Sequence, residues 1–227
     1  MEPRILHIET SERSCSVCLS EGNNCISQIV DESGEHQSTL APNIKKLLID
    51  NELFFNDLDA FSVNVGPGSY TSLRVGVMMA KGLSVLNRKP LIANTGLLAL
   101  AMESKSRFPD YAYYIPLIDA RRDDVYFAVY DEVFNELKAA QFAQLSSAWF
   151  KNLGIQAAQC LISGSGSRKW TGIIPEYPVQ SLEGILTAKW LIKPALQAFQ
   201  MGIFESPAEL KPFYIKDPNI TVAKKKI

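Results

Sequence analysis

Residues 5–21 read ILHIETSERSCSVCLSE, and residues 115–131 read IPLIDARRDDVYFAVYD. Shifted by 110 positions, the first stretch lays Ile8 on Ile118, Glu9 on Asp119, Val17 on Phe127, Leu19 on Val129 and Glu21 on Asp131. Each stretch holds two apolar runs around a polar turn, which is the pattern of a β-hairpin. Each first run ends in a carboxylate. The match is short, so its weight rests on whether the surrounding elements repeat too.

They do. Ile5 to Ile8 and Cys15 to Leu19 read as strands, and Cys25 to Val30 as a third strand after the turn Glu21-Gly22-Asn23-Asn24. Leu40, Ile44, Leu47 and Leu48 then fall at helical spacing, with Ser38 or Thr39 as N-cap and Pro42 in the first turn. Phe61, Val63 and Val65 alternate with Ala60, Ser62 and Asn64, as in a strand. A helix follows to about Leu86, a strand after Pro90, and a helix from Thr95 or Gly96 to about Lys105. The second half predicts strands at Ile115 to Ile118, Val125 to Tyr130 and Ala139 to Ala143. It continues with a helix at Ser146 to Leu153, a strand at Cys160 to Ser163, and a long helix from Leu182 to Met201 bent at Pro194. Three antiparallel strands followed by alternating helices and strands, present twice, is the plan of the ribonuclease H-like/actin-like ATPase superfold. The expected fold class is therefore α/β, with two tandem domains at residues 1–106 and 107–202. The C-terminal residues 203–227 are expected to pack back on the first.

The composition supports a folded chain. Of 227 residues, 47% are hydrophobic and 21% charged, far too apolar for disorder. Lys+Arg is 23 against Asp+Glu 24, so the surplus of positive charge that a stand-alone nucleic-acid binder needs is missing. No run approaches the roughly 18 apolar residues of a membrane helix, and the N-terminal stretch is broken by His7 and Glu9. A cytoplasmic protein with reduced thiols at Cys15, Cys18, Cys25 and Cys160 is the expectation. Cys15 and Cys18 lie three apart in a strand and so face opposite ways, which argues against a chelating or redox C-x-x-C pair.

Gly66-Pro67-Gly68-Ser69-Tyr70-Thr71-Ser72-Leu73-Arg74 is a glycine-rich turn between a strand and a helix. Such a turn presents free N–H groups to an anion, or serves simply as a turn capped by Ser69 or Thr71. It matches neither a Walker loop nor G-x-G-x-x-G. The helix behind it has two apolar faces. Leu73, Val77, Ala80 and Leu83 form one; Val75, Met78, Met79, Val85 and Leu86, with Gly82, form the other. Either the helix is buried between elements of its own chain, or its second face meets another protein.

Other chemistry has fewer supports. His7 and His36 are the only histidines, too few for a multi-histidine metal site, and neither has a histidine partner at helical spacing. Glu9 and Asp119 could flank a cleft and hold Mg²⁺ in an ATP-dependent phosphotransferase. The turns that follow them, Thr10-Ser11-Glu12-Arg13 and Ala120-Arg121-Arg122, contain no glycine. Gly164-Ser165-Gly166 reads as a turn or a nucleotide loop, and Lys224-Lys225-Lys226 as a solvated tail or an RNA contact.

Several segments together resemble the TsaB family, also called YeaZ or glycoprotease-like. They are Ile8-Glu9-Thr10-Ser11, Glu35-His36, Asp57-Leu58-Asp59-Ala60, the long Gly66 to Gly76 motif, Asp119-Ala120-Arg121-Arg122 and Pro212-Phe213-Tyr214-Ile215-Lys216-Asp217. Ser72 stands where the family has Gly, and Glu9 where it has Asp. The resemblance implies a noncatalytic scaffold, with no catalytic, cofactor or metal residues of its own. It would work with a TsaD-like paralogue and a TsaE-like ATPase in N6-threonylcarbamoylation of adenosine 37 of tRNAs that read codons beginning with A. It also implies a homodimer in isolation through an overlapping surface, tRNA reached only through the complex, no membrane, and ATP/ADP and metal supplied through the partner complex. The residues expected to form the shared surface are Leu40, Ile44, Val75, Met78, Met79, Gly82, Val85 and Leu86. Beside them stands the motif turn of Gly66, Pro67, Gly68, Ser69, Tyr70, Thr71 and Arg74. The old family name also suggests a peptidase, for which Ser69 and His36 would be the pair to test.

Overall fold

A computed structural model describes residues 1–173, 180–182 and 184–216. The expected tail Lys224 to Lys226 lies outside the described residues. The first sheet opens with β1 (Arg4–Glu9), β2 (Cys15–Glu21) and β3 (Asn24–Asp31) as an antiparallel meander. After α1 (His36–Asp50), strand β4 (Ala60–Gly66) lies parallel to β1. After α2 (Tyr70–Asn87), β5 (Leu91–Thr95) lies parallel to β4. Helix α3 (Gly96–Arg107), capped by Thr95 Oγ1 accepting from Leu98 N, leads to the second half. There β6 (Tyr113–Asp119), β7 (Asp124–Asp131) and β8 (Glu136–Gln144) repeat the meander. Helix α4 (Ser147–Leu153) then precedes β9 (Cys160–Ser163), parallel to β6, and α5 (Ser167–Ile173) precedes β10 (Gln180–Leu182), parallel to β9. The sheets run β3-β2-β1-β4-β5 and β10-β9-β6-β7-β8, so one is the other read from the opposite edge. The mixed α/β fold with two sheets of one plan is as expected.

The register refines the repeat. Ile8 pairs with Val17 beneath α1 and α2, whereas Leu117 pairs with Phe127 beneath α4 and α5. The leading strands therefore correspond at a shift of 109, and the second strands at 110. The reason is a turn shorter by one residue: Glu9 pairs with Ser16, but Asp119 pairs with Val125. Because strand side chains alternate, Glu9 faces the middle of the molecule, and Asp119 shares the parity of Ile115 and Leu117. The two carboxylates both end their strands, yet they are not equivalent.

Helices α1 and α2 cover the outer face of the first sheet around Leu6, Ile8, Val17, Phe61, Val77 and Ala80. Helices α4 and α5 cover the second around Ile115, Leu117, Phe127, Phe150 and Trp170, where the Phe150 and Trp170 rings meet edge to face at 5.0 Å. Between the sheets, α3 packs Leu97, Leu100 and Ala101 against Tyr114, Ile118 and Leu161. Helix α6 (Ile192–Gln200) packs Ala195 against Ile5, Ala60 and Ile92.

Three expectations need correction. Leu40 and Ile44 are 0% and 2% exposed and belong to the core under α1, so they are not available to a partner. Ser38 and Thr39 do not cap α1; the helix begins at His36, both hydroxyls donate to Glu35 O, and Pro42 therefore lies inside the helix and not in its first turn. The long helix from Leu182 to Met201 is absent. β10 ends at Leu182, residues 184–187 are irregular, a 3-10 turn spans Ala188–Leu191, and only then does α6 begin. The amides there are held by side chains of the first meander: Leu186 N by Glu12 Oε2, Ala188 N by Ser16 Oγ and Lys189 N by Gln28 Oε1. Those bonds replace the helical ones. Pro194 falls in the first turn of α6, where its missing N–H costs nothing, so it bends nothing.

The chain then runs back over the first sheet. Glu205 N donates to Leu91 O, Leu210 enters the outer core, Lys81 Nζ donates to Leu210 O, and Phe213 N donates to Val65 O at 2.7 Å. Lys216 reaches Asp124 of the second half at 3.1 Å.

Candidate functional site

The glycine-rich turn is built for close packing. Gly66 has φ +132, and a Cβ there would stand 2.5 Å from Phe213 O. A Cβ on Gly68 would collide with Ser11 O, and one on Gly76 with Thr10 Oγ1. The turn is bonded to the β1–β2 loop as well: Ser69 N donates to Ser11 O at 2.7 Å, and Thr10 Oγ1 to Ser72 O at 2.8 Å. Its glycines therefore bring two backbones together instead of leaving amides free for an anion. Ser69 sits at the N-cap of α2, but its hydroxyl makes no cap bond and accepts from Ser72 Oγ at 3.0 Å. Tyr70 stacks on Tyr214 at 4.5 Å, and the Arg74 guanidinium lies over the Tyr70 ring at 4.2 Å.

Glu9 braces this turn from within. It is fully buried; one oxygen accepts from Ser11 N and the other from Asn64 Nδ2 at 2.6 Å, while Asn64 Oδ1 accepts from Gly66 N at 2.9 Å. Burial pushes the Glu9 carboxyl up to about 7. A carboxyl whose folded value is raised favours folding most below its unfolded value, and that contribution is lost as pH rises towards the folded value. Between pH 5.5 and 8.5 the native chain should lose about 2 kcal/mol from this group. Urea melts at the two pH values should show that loss, and Glu9→Gln should flatten it. An equal slope in the variant removes Glu9 as its source.

The other candidates are engaged elsewhere. Burial lowers His7 to about 3, and its Nε2 lies 2.8 Å from Ser20 Oγ. His36 places Nδ1 3.0 Å from Gly34 O and Nε2 3.0 Å from Glu12 O, so it pins the β1–β2 loop and makes no bond to Ser69. Cys15 faces the outer core and Cys18 the middle layer, as strand alternation predicts. Gly164 and Gly166 pack against Leu117, and Ser165 Oγ accepts from Asp119 N.

A cleft of about 1260 Å³ opens between the β1–β2 turn, the glycine-rich turn, the β6–β7 turn and the start of α5. Asp119 lines it, bound by Lys169 Nζ at 2.7 Å and Arg121 N at 2.6 Å. Arg13, Arg121, Lys169 and Lys216 also line it. Sequence reasoning passed over them, although basic residues in two equivalent hairpin turns were there to be read.

On the outer side of α2, Met78, Val85 and Leu86 are 64%, 62% and 81% exposed. Val75 and Met79 are half-buried beside them, and the Cβ position of Gly82 meets nothing within 4 Å. Leu73, Val77 and Ala80 point into the core. Of the two apolar faces, one is covered by the sheet and one is open to solvent.

A family profile described as TsaD, tRNA N6-adenosine threonylcarbamoyltransferase, matches residues 28–161, more than half of the chain. The tRNA threonylcarbamoyladenosine biosynthesis protein TsaB of Escherichia coli K12 is 25% identical over 231 residues, covering 94% of this chain and 95% of that protein. TsaB of Bacillus subtilis 168 is 34% identical over 127 residues, covering 56% of this chain and 54% of that one. Among solved structures, YeaZ from Pseudomonas aeruginosa superposes with a TM-score of 0.78 at 22% identity, covering 93% of this chain and 99% of that one. The activator of 2-hydroxyisocaproyl-CoA dehydratase from Clostridium difficile, with bound ADPNP, reaches 0.56 at 12% identity, covering 96% and 100%. Both share the fold.

Proposed function

This chain belongs to the TsaB/YeaZ family, within the wider TsaD group, and on that premise we propose that it serves tRNA threonylcarbamoyladenosine formation as a noncatalytic scaffold. The observation that carries the proposal is the open apolar face of α2. Met78, Val85 and Leu86 lie together, exposed, on a helix whose opposite face already fills the core. Clustered exposed apolar side chains mark a protein contact, and methionine adapts well to such a surface.

The partner of that face is a TsaD-like paralogue, which would carry the transfer to adenosine 37 while a TsaE-like ATPase assists. Alone, the chain forms a homodimer through an overlapping surface, so paralogue and second copy compete. It acts in the cytoplasm and reaches tRNA only through the complex, which also provides ATP/ADP and metal. The internal engagement of Glu9, Asp119, Ser69 and His36 supports a chain without chemistry of its own.

Affinity purification of the tagged chain from its native cells tests the reading, together with nucleoside analysis of tRNA after depletion. Recovery of a TsaD-like protein and a fall in threonylcarbamoyladenosine are expected. Unchanged modified nucleoside, with no such protein recovered, overturns it.

A further inference from the structure

Strands β2 and β3 carry two thiols that their hairpin brings together. Cys18 Sγ lies 3.4 Å from Cys25 Sγ. Simple alternation does not put them there. From Cys15 to Leu19 the two strands pair residue for residue, with Leu19 opposite Ser27. Continued unbroken, that register would set Cys25 opposite Glu21 and turn its side chain to the outer face of the sheet. Instead Ser20 pairs with Cys25, so Ile26 is the extra residue of a β-bulge. The bulge sends Cys25 to the inner face, where it packs with Cys18, Ala188 and Ile192, and leaves Ile26 48% exposed.

The two sulfurs stand in different surroundings. Cys18 is fully buried, and burial, with Cys25 beside it, holds its thiol well above the ordinary range. Cys25 is half-buried on the outermost strand of its sheet. An oxidant arriving from solvent therefore meets Cys25 first, with Cys18 behind it as the second thiol. Cys15 and Cys160 are placed differently. Both are buried; Cys15 points into the outer core, and Cys160 lies in the second sheet, its Sγ donating to Gln156 O at 3.2 Å. In a reducing compartment, a thiol pair that does cross-link serves as a transient or sensing bond more often than as a permanent one.

We propose that Cys18 and Cys25 form a reversible oxidation site, at which hydrogen peroxide closes a disulfide that fastens edge strand β3 to β2. The inference goes beyond the scaffold reading and stands without it. The Cys25 sulfur attacks one peroxide oxygen: an S–O bond forms, the O–O bond breaks, and the leaving oxygen departs as water with the Cys25 thiol proton. That leaves a sulfenic acid on Cys25. The Cys18 sulfur then attacks the Cys25 sulfur: the S–S bond forms, the S–O bond breaks, and hydroxide departs as water with the Cys18 proton. Two thiols lose two electrons, and one peroxide becomes two waters. The sulfurs must close by about 1.4 Å, from 3.4 Å to the roughly 2.05 Å of a disulfide. Ile26 has no ladder partner, so the backbone next to Cys25 is where the hairpin yields most readily. Fastening β3 also fastens an anchor of the crossing segment, since Gln28 Oε1 accepts from Lys189 N at 3.1 Å.

Hydrogen peroxide added to the reduced full chain, at a dose that oxidises the urea-unfolded chain, tests it by alkylation and peptide mass mapping. The expected product is a cross-linked Cys18–Cys25 peptide pair within one chain, reversed by a phosphine reductant. The Cys25 thiol should disappear at least tenfold faster than those of Cys15 and Cys160. In the oxidised chain the β3 amides should exchange with deuterium at least threefold more slowly. Cys25→Ser should form no cross-link, and Cys18→Ser should accumulate a sulfenic acid at Cys25 that dimedone traps. Circular dichroism checks the fold of each variant; if the buried Cys18→Ser change unfolds the chain, the native peptide map and the half-buried Cys25→Ser variant decide. Four thiols left free overturn the proposal. So does Cys25 passing to sulfinic acid with Cys18 still free, a cross-link only between chains, or unchanged β3 exchange in the cross-linked chain.

Discussion

Met78→Asp, and independently Leu86→Asp, should abolish recovery of the TsaD-like paralogue and lower its affinity by at least 100-fold. Both side chains are mostly exposed, 64% and 81%, so an aspartate at either position stays hydrated in the free chain. The fold should melt within a few degrees of the native protein, because surface changes away from special features cost little. In the complex, the same carboxylate would be carried into an apolar contact without a partner. Leaving one charge buried and unpaired in an interface costs about 2–5 kcal/mol, and a loss of 100-fold is about 2.8 kcal/mol. The proposed homodimer should dissociate in parallel if both contacts share the face, which light scattering reads directly. Intact co-purification by both variants would remove α2 as the docking element, leaving the tRNA pathway itself untouched.

The second large effect concerns folding. Gly68→Ala should destabilise the chain by about 3 kcal/mol or more, since overpacking against an unyielding backbone alone costs 1–3 kcal/mol. The added methyl would press into the Ser11 carbonyl, and that carbonyl is pinned by Ser69 N one residue further on. Gly66→Ala should cost at least as much, because strain at φ +132 adds to the clash with Phe213 O. Against a total stability of about 5–15 kcal/mol, either change should leave much of the protein unfolded at modest urea. Gly82→Ala supplies the contrast. Its side-chain position is open and it lies on the exposed face of α2, so replacement should stabilise by about 0.5–1 kcal/mol. A Gly68→Ala chain within 1 kcal/mol of the native one would refute the close-packing account of the turn.

The sequence exposed what local pattern controls. Alternation along Ala60 to Val65 gave β4, the duplicated hairpins announced two sheets of one plan, and the two-faced pattern of α2 was visible from its spacing alone. It hid what distant contacts control. Residues 184–191 carry an apolar periodicity compatible with a helix. Their amides, however, are claimed by Glu12, Ser16 and Gln28, more than 160 residues earlier. Leu40 and Ile44 face the sheet because α1 turns its apolar stripe inward, and spacing cannot say which way a stripe turns. The single-residue difference between the hairpin turns was invisible at the level of a shift, yet it separates Glu9 from Asp119. The cationic cleft escaped notice because its basic residues come from four separated stretches that only the fold assembles.

The middle layer has a consequence for birth of the chain on the ribosome. The inner face of the first sheet, with Ile5, Ala60 and Ile92, is closed by Ala195, and Ser16 finds its amide only at Ala188. By the time β5 has emerged, its sheet has one dry face and one wet one. Nearly the whole polypeptide must be made before the second dries. Closure entropy over so long a separation slows that step. A half-made molecule thus carries a sticky plane through most of its synthesis, and the last quarter of the message decides whether the first quarter is native.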